Sequence, residues 1–205
     1  MNIGALLAAV IILISNTLLY PTLAGLVISF IVIIIATGAM LAEWLERSGL
    51  QRLAAEQWAE YISNPEKTKK LLPGESRKAF LELEKLTSQP GCTWEQAEDL
   101  FIYLRGRLIK RLDYLRILVR FGPSLGLMGT LIPMGTGLAS LGQGDLSRLS
   151  SDLVIAFTTT VVGLAIGIVA YAWHTIRLRW LEGDLHIISA ACESMATKLP
   201  VQGGE

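Results

Sequence analysis

Apolar and polar positions divide the chain into long blocks of contrasting character. Residues 1–42 carry no charged side chain, and the later blocks 121–142 and 153–176 are equally free of charge. Each block reaches or exceeds the roughly 20 residues that a membrane-spanning helix needs. Between the first two blocks, residues 43–120 hold 14 Lys/Arg and 12 Asp/Glu. The pattern predicts an all-α integral membrane protein with three core transmembrane helices and a long polar loop.

The first block is too long for one perpendicular span, and Tyr20-Pro21 is expected to divide it. Residues 22–42 then supply the first core span. Residues 1–19 form either an extra span or an apolar helix that lies at the outer interface. The side of the membrane on which the N-terminus lies depends on this choice.

Prolines divide the polar region into helical pieces, at Pro65, Pro73-Gly74 and Pro90-Gly91. The last piece begins with a capping box, Thr93 and Gln96, and no strong breaker separates it from the second apolar block. One helix over residues 94–142 would be ~70 Å long at 1.5 Å per residue. About half of it must therefore project beyond the membrane, as the start of a helical bundle.

The C-terminal segment keeps an alternating three-four apolar spacing, at Leu178, Leu181, Leu185, Ile188, Cys192, Met195 and Leu199. Such a seam needs a helical partner, most simply residues 94–120. The expected regions are an apolar N-terminal segment with the first span (1–42), a cytoplasmic helical region (43–120), a transmembrane hairpin (121–176) and a cytoplasmic C-terminal helix and tail (177–205).

Basic residues crowd the polar ends of two spans, at Arg105, Arg107, Lys110, Arg111, Arg116, Arg120, Arg177 and Arg179. The connection 143–152 has one Arg and two Asp. An excess of Lys and Arg marks the cytoplasmic side of a membrane protein. The loop 43–120 and the C-terminus are therefore expected in the cytoplasm, with residues 143–152 outside the cell membrane.

Composition excludes several classes of function. The formal net charge is zero, so a nucleic-acid partner is not expected. Cys92 and Cys192 match no metal or redox spacing, and no nucleophile, base and acid occur together, so we expect no enzyme, metal or cofactor. His174 is a candidate proton relay, or simply packs at the interface. Asp145 and Asp152 either attract cations to a pore mouth or are solvated turn residues.

Small residues follow one face of each hairpin helix. In 121–142 they are Pro123, Gly126, Thr130, Pro133, Gly137 and Ser140, and in 153–176 they are Ala156, Thr160, Gly163, Gly167 and Ala170. Such stripes let membrane helices approach closely. Spacing alone indicates two helices packed face to face.

The sequences GPSLGLMGTL (122–131) and AFTTTVVGLAIGI (156–168) closely resemble segments of the MotA/TolQ/ExbB proton channel family. In that family, P-x-x-G-L-x-G-T opens the second core helix and A-x-x-x-T-x-x-G-L lies in the third. The resemblance covers roughly residues 115–180. It implies that Thr130 and Thr160, with Thr159 beside them, line an ion path. The residues expected to pack the helices and shape the pore are Pro123, Gly126, Gly129, Pro133, Gly137, Gly163 and Gly167.

Two positions depart from the family pattern. Ile155 stands where some members place a glutamate, and Pro133 where a glycine is common. The family layout also favours an interfacial helix for residues 1–19.

None of the three expected spans contains an acid. The resemblance implies a homo-oligomeric ring, a pentamer, around ExbD/TolR/MotB-like single-span partners whose intramembrane Asp carries the ion. The expected function is that of the channel-forming stator subunit of a proton-driven or sodium-driven energy transducer. The alternative is a structural membrane scaffold that conducts no ion. A Thr hydroxyl that bonds its own helix backbone would fit the alternative.

Overall fold

The computed structural model describes residues 3–54, 65–89 and 93–196, and these residues form helices and no strand. The helices are α1 (Ile3–Ala54), α2 (Pro65–Leu71), α3 (Gly74–Thr87), α4 (Trp94–Lys110), α5 (Asp113–Leu141) and α6 (Leu146–Ala196). Three stretches of the described chain are long and apolar enough to cross a membrane: Ala9–Ser48, Trp94–Leu141 and Leu146–Glu193. The predicted all-α fold of a multi-pass membrane protein is confirmed.

The apolar N-terminal segment is helical, but it does not form a separate helix. α1 runs through Pro21 without the break that was predicted at Tyr20-Pro21. Pro removes one backbone N–H and usually kinks or ends a helix in water. In apolar surroundings, unwinding would leave further backbone groups without partners, so a continuous helix around one missing bond costs less.

The chain divides into two compact units, and each is described separately. The apolar unit comprises Met1–Thr37 and Tyr114–Trp173, and the polar unit comprises Gly38–Asp113 and His174–Glu205. The core of the apolar unit joins α1, α5 and α6 through Leu26, Ile33, Ala36, Leu115, Leu118, Ile166 and Ala170.

α1 runs antiparallel to α5 within the apolar unit. A Cβ on Gly25 would lie 3.4 Å from Leu125 Cδ1, whereas Ile12 and Ser15 share a groove with the last turns of α5. The N-terminal end of α1 therefore lies at the same end of this unit as the α5–α6 turn.

The turn itself is shorter than the predicted connection 143–152. α6 already begins at Leu146, so Asp152 lies on the helix. Asp145 is the N-cap, because its Oδ1 accepts the backbone N–H of Arg148 at 3.0 Å. Gly144 has φ +78°, a left-handed conformation that side chains rarely adopt.

The polar unit is a helical bundle in which the C-terminal part of α6 packs against α3 and α4. Its core comprises Leu72, Ala79, Phe80, Leu83, Ala97, Leu104, Leu108, Leu112, Leu181, Ile188, Ala191 and Cys192, with Leu178 and Leu185 packed against it. The predicted seam and its α4 partner are thus confirmed, and α3 is an additional partner. The side chain of Met195, and Cys92, Pro90-Gly91 and Leu199, lie outside the described residues.

α4 and α5 are not the single helix that was expected from Trp94 to Gly142. They are separated at Arg111 and Leu112, where Leu112 N donates to Ile109 O at 2.9 Å in a tighter i→i−3 turn. Leu112 is only 8% exposed and lies in the core of the polar unit. Neither Gly nor Pro marks this position, and the sequence pattern therefore gave no sign of it.

A buried ionic network ties three helices of the polar unit together. The guanidinium of Arg47 donates to both carboxylate oxygens of Asp184, at 2.9 and 2.8 Å, and to Glu43. Ser76 Oγ donates to Asp184 at 2.6 Å, and Arg177 donates to Glu43 at 3.0 Å. The Arg47 guanidinium also lies over the Trp180 ring, 4.9 Å from its centroid.

Candidate functional site

The backbones of α5 and α6 touch along a seam of glycines. A Cβ on Gly163 would lie 2.6 Å from Gly122 O and 2.7 Å from Gly126 Cα. Atoms of real side chains do not approach backbone so closely, so only hydrogen fits there. The predicted role of these glycines in close helix packing agrees with this geometry.

Two further contacts extend the seam in both directions. A Cβ on Gly129 would lie 2.7 Å from Thr159 Cβ, and one on Gly167 would lie 2.7 Å from Pro123 Cγ. Thr159 is 5% exposed, and its hydroxyl lies 3.0 Å from Ile155 O and 2.9 Å from Ala156 O. The seam is closed here, and Thr159 fills it.

An acid lies at the turn end of the same seam. A Cβ on Gly137 would lie 3.3 Å from Asp152 Cβ. Thr136 Oγ1 is 2.8 Å from Asp152 Oδ2 and 3.0 Å from Pro133 O. Asp152 is partly buried, so it is not the freely solvated turn residue considered from the sequence.

Thr130 and Thr160 lie at the edge of the seam and are partly exposed. Thr130 Oγ1 donates to Leu127 O at 2.7 Å, and Thr160 Oγ1 donates to Ala156 O at 3.1 Å. Each hydroxyl thus bonds its own helix and keeps its acceptor lone pairs available.

Both of these threonines lie on the flank of the hairpin that faces away from α1. Leu125 of α5 and Val162 of α6 pack in the cluster with α1. At ~100° per residue, Thr130 is about 140° around α5 from Leu125, and Thr160 is about 160° around α6 from Val162. We call this surface the open flank.

The other predicted residues occupy separate places. His174 is partly buried and belongs to the polar unit. Asp145 is exposed and caps α6. Pro133 is buried on the seam face of α5. Among the described residues, no three His, Cys, Asp or Glu are grouped so that they could hold a metal ion.

Sequence reasoning missed two polar contacts between helices. One is the Thr136–Asp152 pair, and the other joins Trp173 Nε1 to Thr37 Oγ1 at 2.9 Å. The Thr136–Asp152 contact could have been inferred, because Asp145 is a good N-cap and a helix that begins after it places Asp152 two turns inside α6. The Trp173–Thr37 contact could not, because it depends on the register between α1 and α6.

The seam makes a specific prediction about Gly163. We expect Gly163→Ala to destabilise the protein by about 1–3 kcal/mol, because the new methyl group meets backbone that no rotamer change can move. Thermal unfolding of the detergent-solubilised protein would measure the loss. Gly183→Ala on the same helix is the control, since a Cβ there meets nothing within 4 Å. Equal unfolding midpoints for the two variants would contradict the close packing.

Comparison with known proteins shows what this chain is similar to. Residues 97–189 match the model of the MotA/TolQ/ExbB proton channel family. The chain is also 32% identical over 85 residues to a putative biopolymer transport protein ExbB homolog of Methanothermobacter thermautotrophicus. That match covers 40% of this chain and 30% of the relative's length.

No solved structure gave a significant match. The matched region contains most of α4, all of α5 and most of α6, and hence the whole glycine seam. Over residues 97–189, the chain is similar to the MotA/TolQ/ExbB proton channel family.

Proposed function

We propose that this chain is the channel-forming stator subunit of a proton-driven or sodium-driven membrane energy transducer. It would form a homo-oligomeric ring, a pentamer, around single-span ExbD/TolR/MotB-like partners that carry an intramembrane Asp. The observation that carries the proposal is the open flank, where Thr130 and Thr160 present hydroxyls to a surface that α1 leaves uncovered. Such a flank can line a hydrated path that a partner helix completes.

The absence of acids in the spans supports a partner. Ion carriers inside membranes are usually acids or histidines. Residues 121–142 and 153–176 contain no acid, so within these bounds the hairpin offers a carrier only hydroxyls and close-packed backbone. Large apolar side chains on the outside of the hairpin, such as Leu131, Leu138 and Phe157, are exposed and suit contact with lipid or with neighbouring subunits.

A structural scaffold is the second candidate, and one observation favours it. Every seam threonine bonds a carbonyl of its own helix, as threonines do when they only pack. The two functions differ in what the hydroxyls contribute, and substitution separates them.

We expect Thr130→Val and Thr160→Val each to lower proton flux through the partnered complex by about tenfold. Assembly should stay near wild type, because each hydroxyl bonds only its own backbone. Thr158→Val is the matched control, since Thr158 is exposed on a different face and makes the same kind of backbone bond. Flux in liposomes and oligomer yield would be measured together. Unchanged flux in all three variants would favour the scaffold.

The orientation in the membrane is also proposed. The excess of Lys and Arg in residues 43–120 over residues 143–152 favours a cytoplasmic location for that region and the C-terminus. The α5–α6 turn, and with it the start of α1, would then lie outside. The membrane concerned is the cell membrane.

Single-cysteine labelling tests this orientation. In a cysteine-free background, a membrane-impermeant thiol reagent applied to intact cells should modify Gln143→Cys and spare Lys85→Cys. Both positions are exposed, so accessibility alone does not decide the outcome. The reverse labelling pattern would invert the proposed topology.

A further inference from the structure

A groove with mixed apolar and polar walls opens at the turn end of the apolar unit. It has a volume of about 330 Å³ and lies between residues 12–15 of α1 and the last turns of α5. At ~30 Å³ per molecule it has room for about ten waters. Its wall combines apolar side chains with the polar residues Ser15, Thr136, Ser140, Gln143 and Arg148.

Thr136 connects this groove to an acid that does not line it. The Thr136 side chain forms part of the wall, and its Oγ1 lies 2.8 Å from Asp152 Oδ2. Asp152 continues the stripe of α6 that contains Ala156, Thr159 and Gly163, at steps of three and four residues. The Thr136 hydroxyl therefore connects the groove to Asp152 at the turn end of the seam.

Few charges surround Asp152. The described part of α1 has no titratable side chain before Tyr20, and residues 121–141 of α5 have none. On α6 and its turn, the charged neighbours are Arg148, one turn earlier, and Asp145. Within the described residues, neither Arg148 nor any other cation forms an ion pair with Asp152. No described cation therefore holds the Asp152 carboxylate in an ion pair.

We propose that this groove is a water-filled entry for protons and that Thr136 and Asp152 form its proton-accepting end. The proposal rests on the proposed function and adds a proton-binding site that belongs to this chain. A hydronium ion in the groove gives its proton to Thr136 Oγ1, while the hydroxyl proton of Thr136 passes to Asp152 Oδ2. The products are water, an intact hydroxyl and a neutral carboxylic acid, and reversal of the step releases the proton.

The closed seam determines where that proton can go. Beyond Asp152 towards the middle of the seam, Thr159 fills the space against Gly129, which leaves no room for water. A proton on Asp152 therefore returns to the groove or passes to a group that another chain presents at the seam edge. Asp152 would hold protons close to the partner's carrier without conducting them through this chain alone.

The first test concerns water in the groove and does not depend on ion flux. In a cysteine-free background within the assembled complex, Ala139→Cys should react with a membrane-impermeant thiol reagent added from outside. Leu138→Cys should react at least about tenfold more slowly, because only a hydrated thiol ionises readily. The two positions are adjacent and both exposed, but only Ala139 lines the groove. Equal reaction of both positions, or none at Ala139, would overturn the proposed entry.

The second test concerns proton transfer. In the partnered complex, Asp152→Asn and Thr136→Val should lower proton flux by about tenfold or more, and Thr136→Ser should retain it. Asp145→Asn, which changes an exposed acid on the turn, should conduct like wild type. The two Thr136 variants keep the test valid if Asp152→Asn assembles poorly. Thr136→Val and Thr136→Ser differ from each other in the hydroxyl and not in charge.

The outcomes separate this proposal from the proposed function. Wild-type flux in the Asp152→Asn and Thr136→Val complexes would overturn the proton-accepting pair while leaving the stator function in place. No flux from the wild-type complex would refute the stator function and this step with it. The labelling test would still decide whether the groove holds water.

Discussion

Reconstituted alone in liposomes, this chain should form an oligomer that conducts protons poorly or not at all. Residues 121–142 and 153–176 contain no acid, and the seam is closed by backbone contacts that leave no room for water. The hydroxyls of Thr130 and Thr160 can orient water but cannot store a proton at neutral pH. A pH-sensitive dye inside the vesicles would measure the proton flux through the chain alone, with the flux into empty liposomes as the reference.

Addition of a single-span partner with an intramembrane Asp should raise the flux by several orders of magnitude. The same partner with Asp changed to Asn should return it to the level of the chain alone, because a carboxamide cannot carry a proton. Substantial flux through the isolated chain would show that the carrier lies within it, and Asp152 and His174 would be the residues to change first. No flux with any acid-bearing partner would support the scaffold.

The second large effect is expected in the polar unit. Asp184→Asn should destabilise the protein by about 3–5 kcal/mol, since it leaves the guanidinium of Arg47 partly buried without its main counter-charge. Asp184 is 4% exposed and accepts hydrogen bonds from Arg47 and Ser76. The midpoint of thermal unfolding should fall by roughly 10 °C for a chain of this size.

Two further variants show whether the loss comes from the buried charge. Glu182→Gln changes an exposed acid on the same helix and should alter the midpoint little. The double variant Arg47→Met with Asp184→Leu removes both charges and should recover much of the stability. A double variant as unstable as Asp184→Asn would mean that the network contributes hydrogen bonds that packing cannot replace.

Long-range periodicity predicted the architecture well, because many residues contribute to each signal. The spans follow from runs of uncharged residues, and the tail seam from Leu181, Leu185 and Ile188 at regular spacing. The capping box at Thr93 is confirmed by its backbone N–H, which donates to Gln96 Oε1 at 3.3 Å. The glycine stripe likewise predicted the buried face of α5, including Gly126 and Gly137.

Features that depend on one contact were not predictable in the same way. Thr159 and Thr160 are neighbours in the sequence, yet one is buried against Gly129 and the other is at the seam edge, a difference of one ~100° step. The Arg47–Asp184 pair joins residues that are 137 positions apart. No local pattern encodes such a partner, and it follows only once the bundle has assembled.

The glycine seam has a mechanical consequence for any energy transducer built on this chain. Where backbone meets backbone, no side chain can change rotamer to absorb a displacement, so α5 and α6 cannot slide or roll past each other without a steric clash. The hairpin therefore behaves as a single rigid part. Movement driven by ion flow would have to occur at its outer surfaces, where flexible side chains such as Leu127, Met134 and Leu164 are exposed and can exchange one set of neighbours for another.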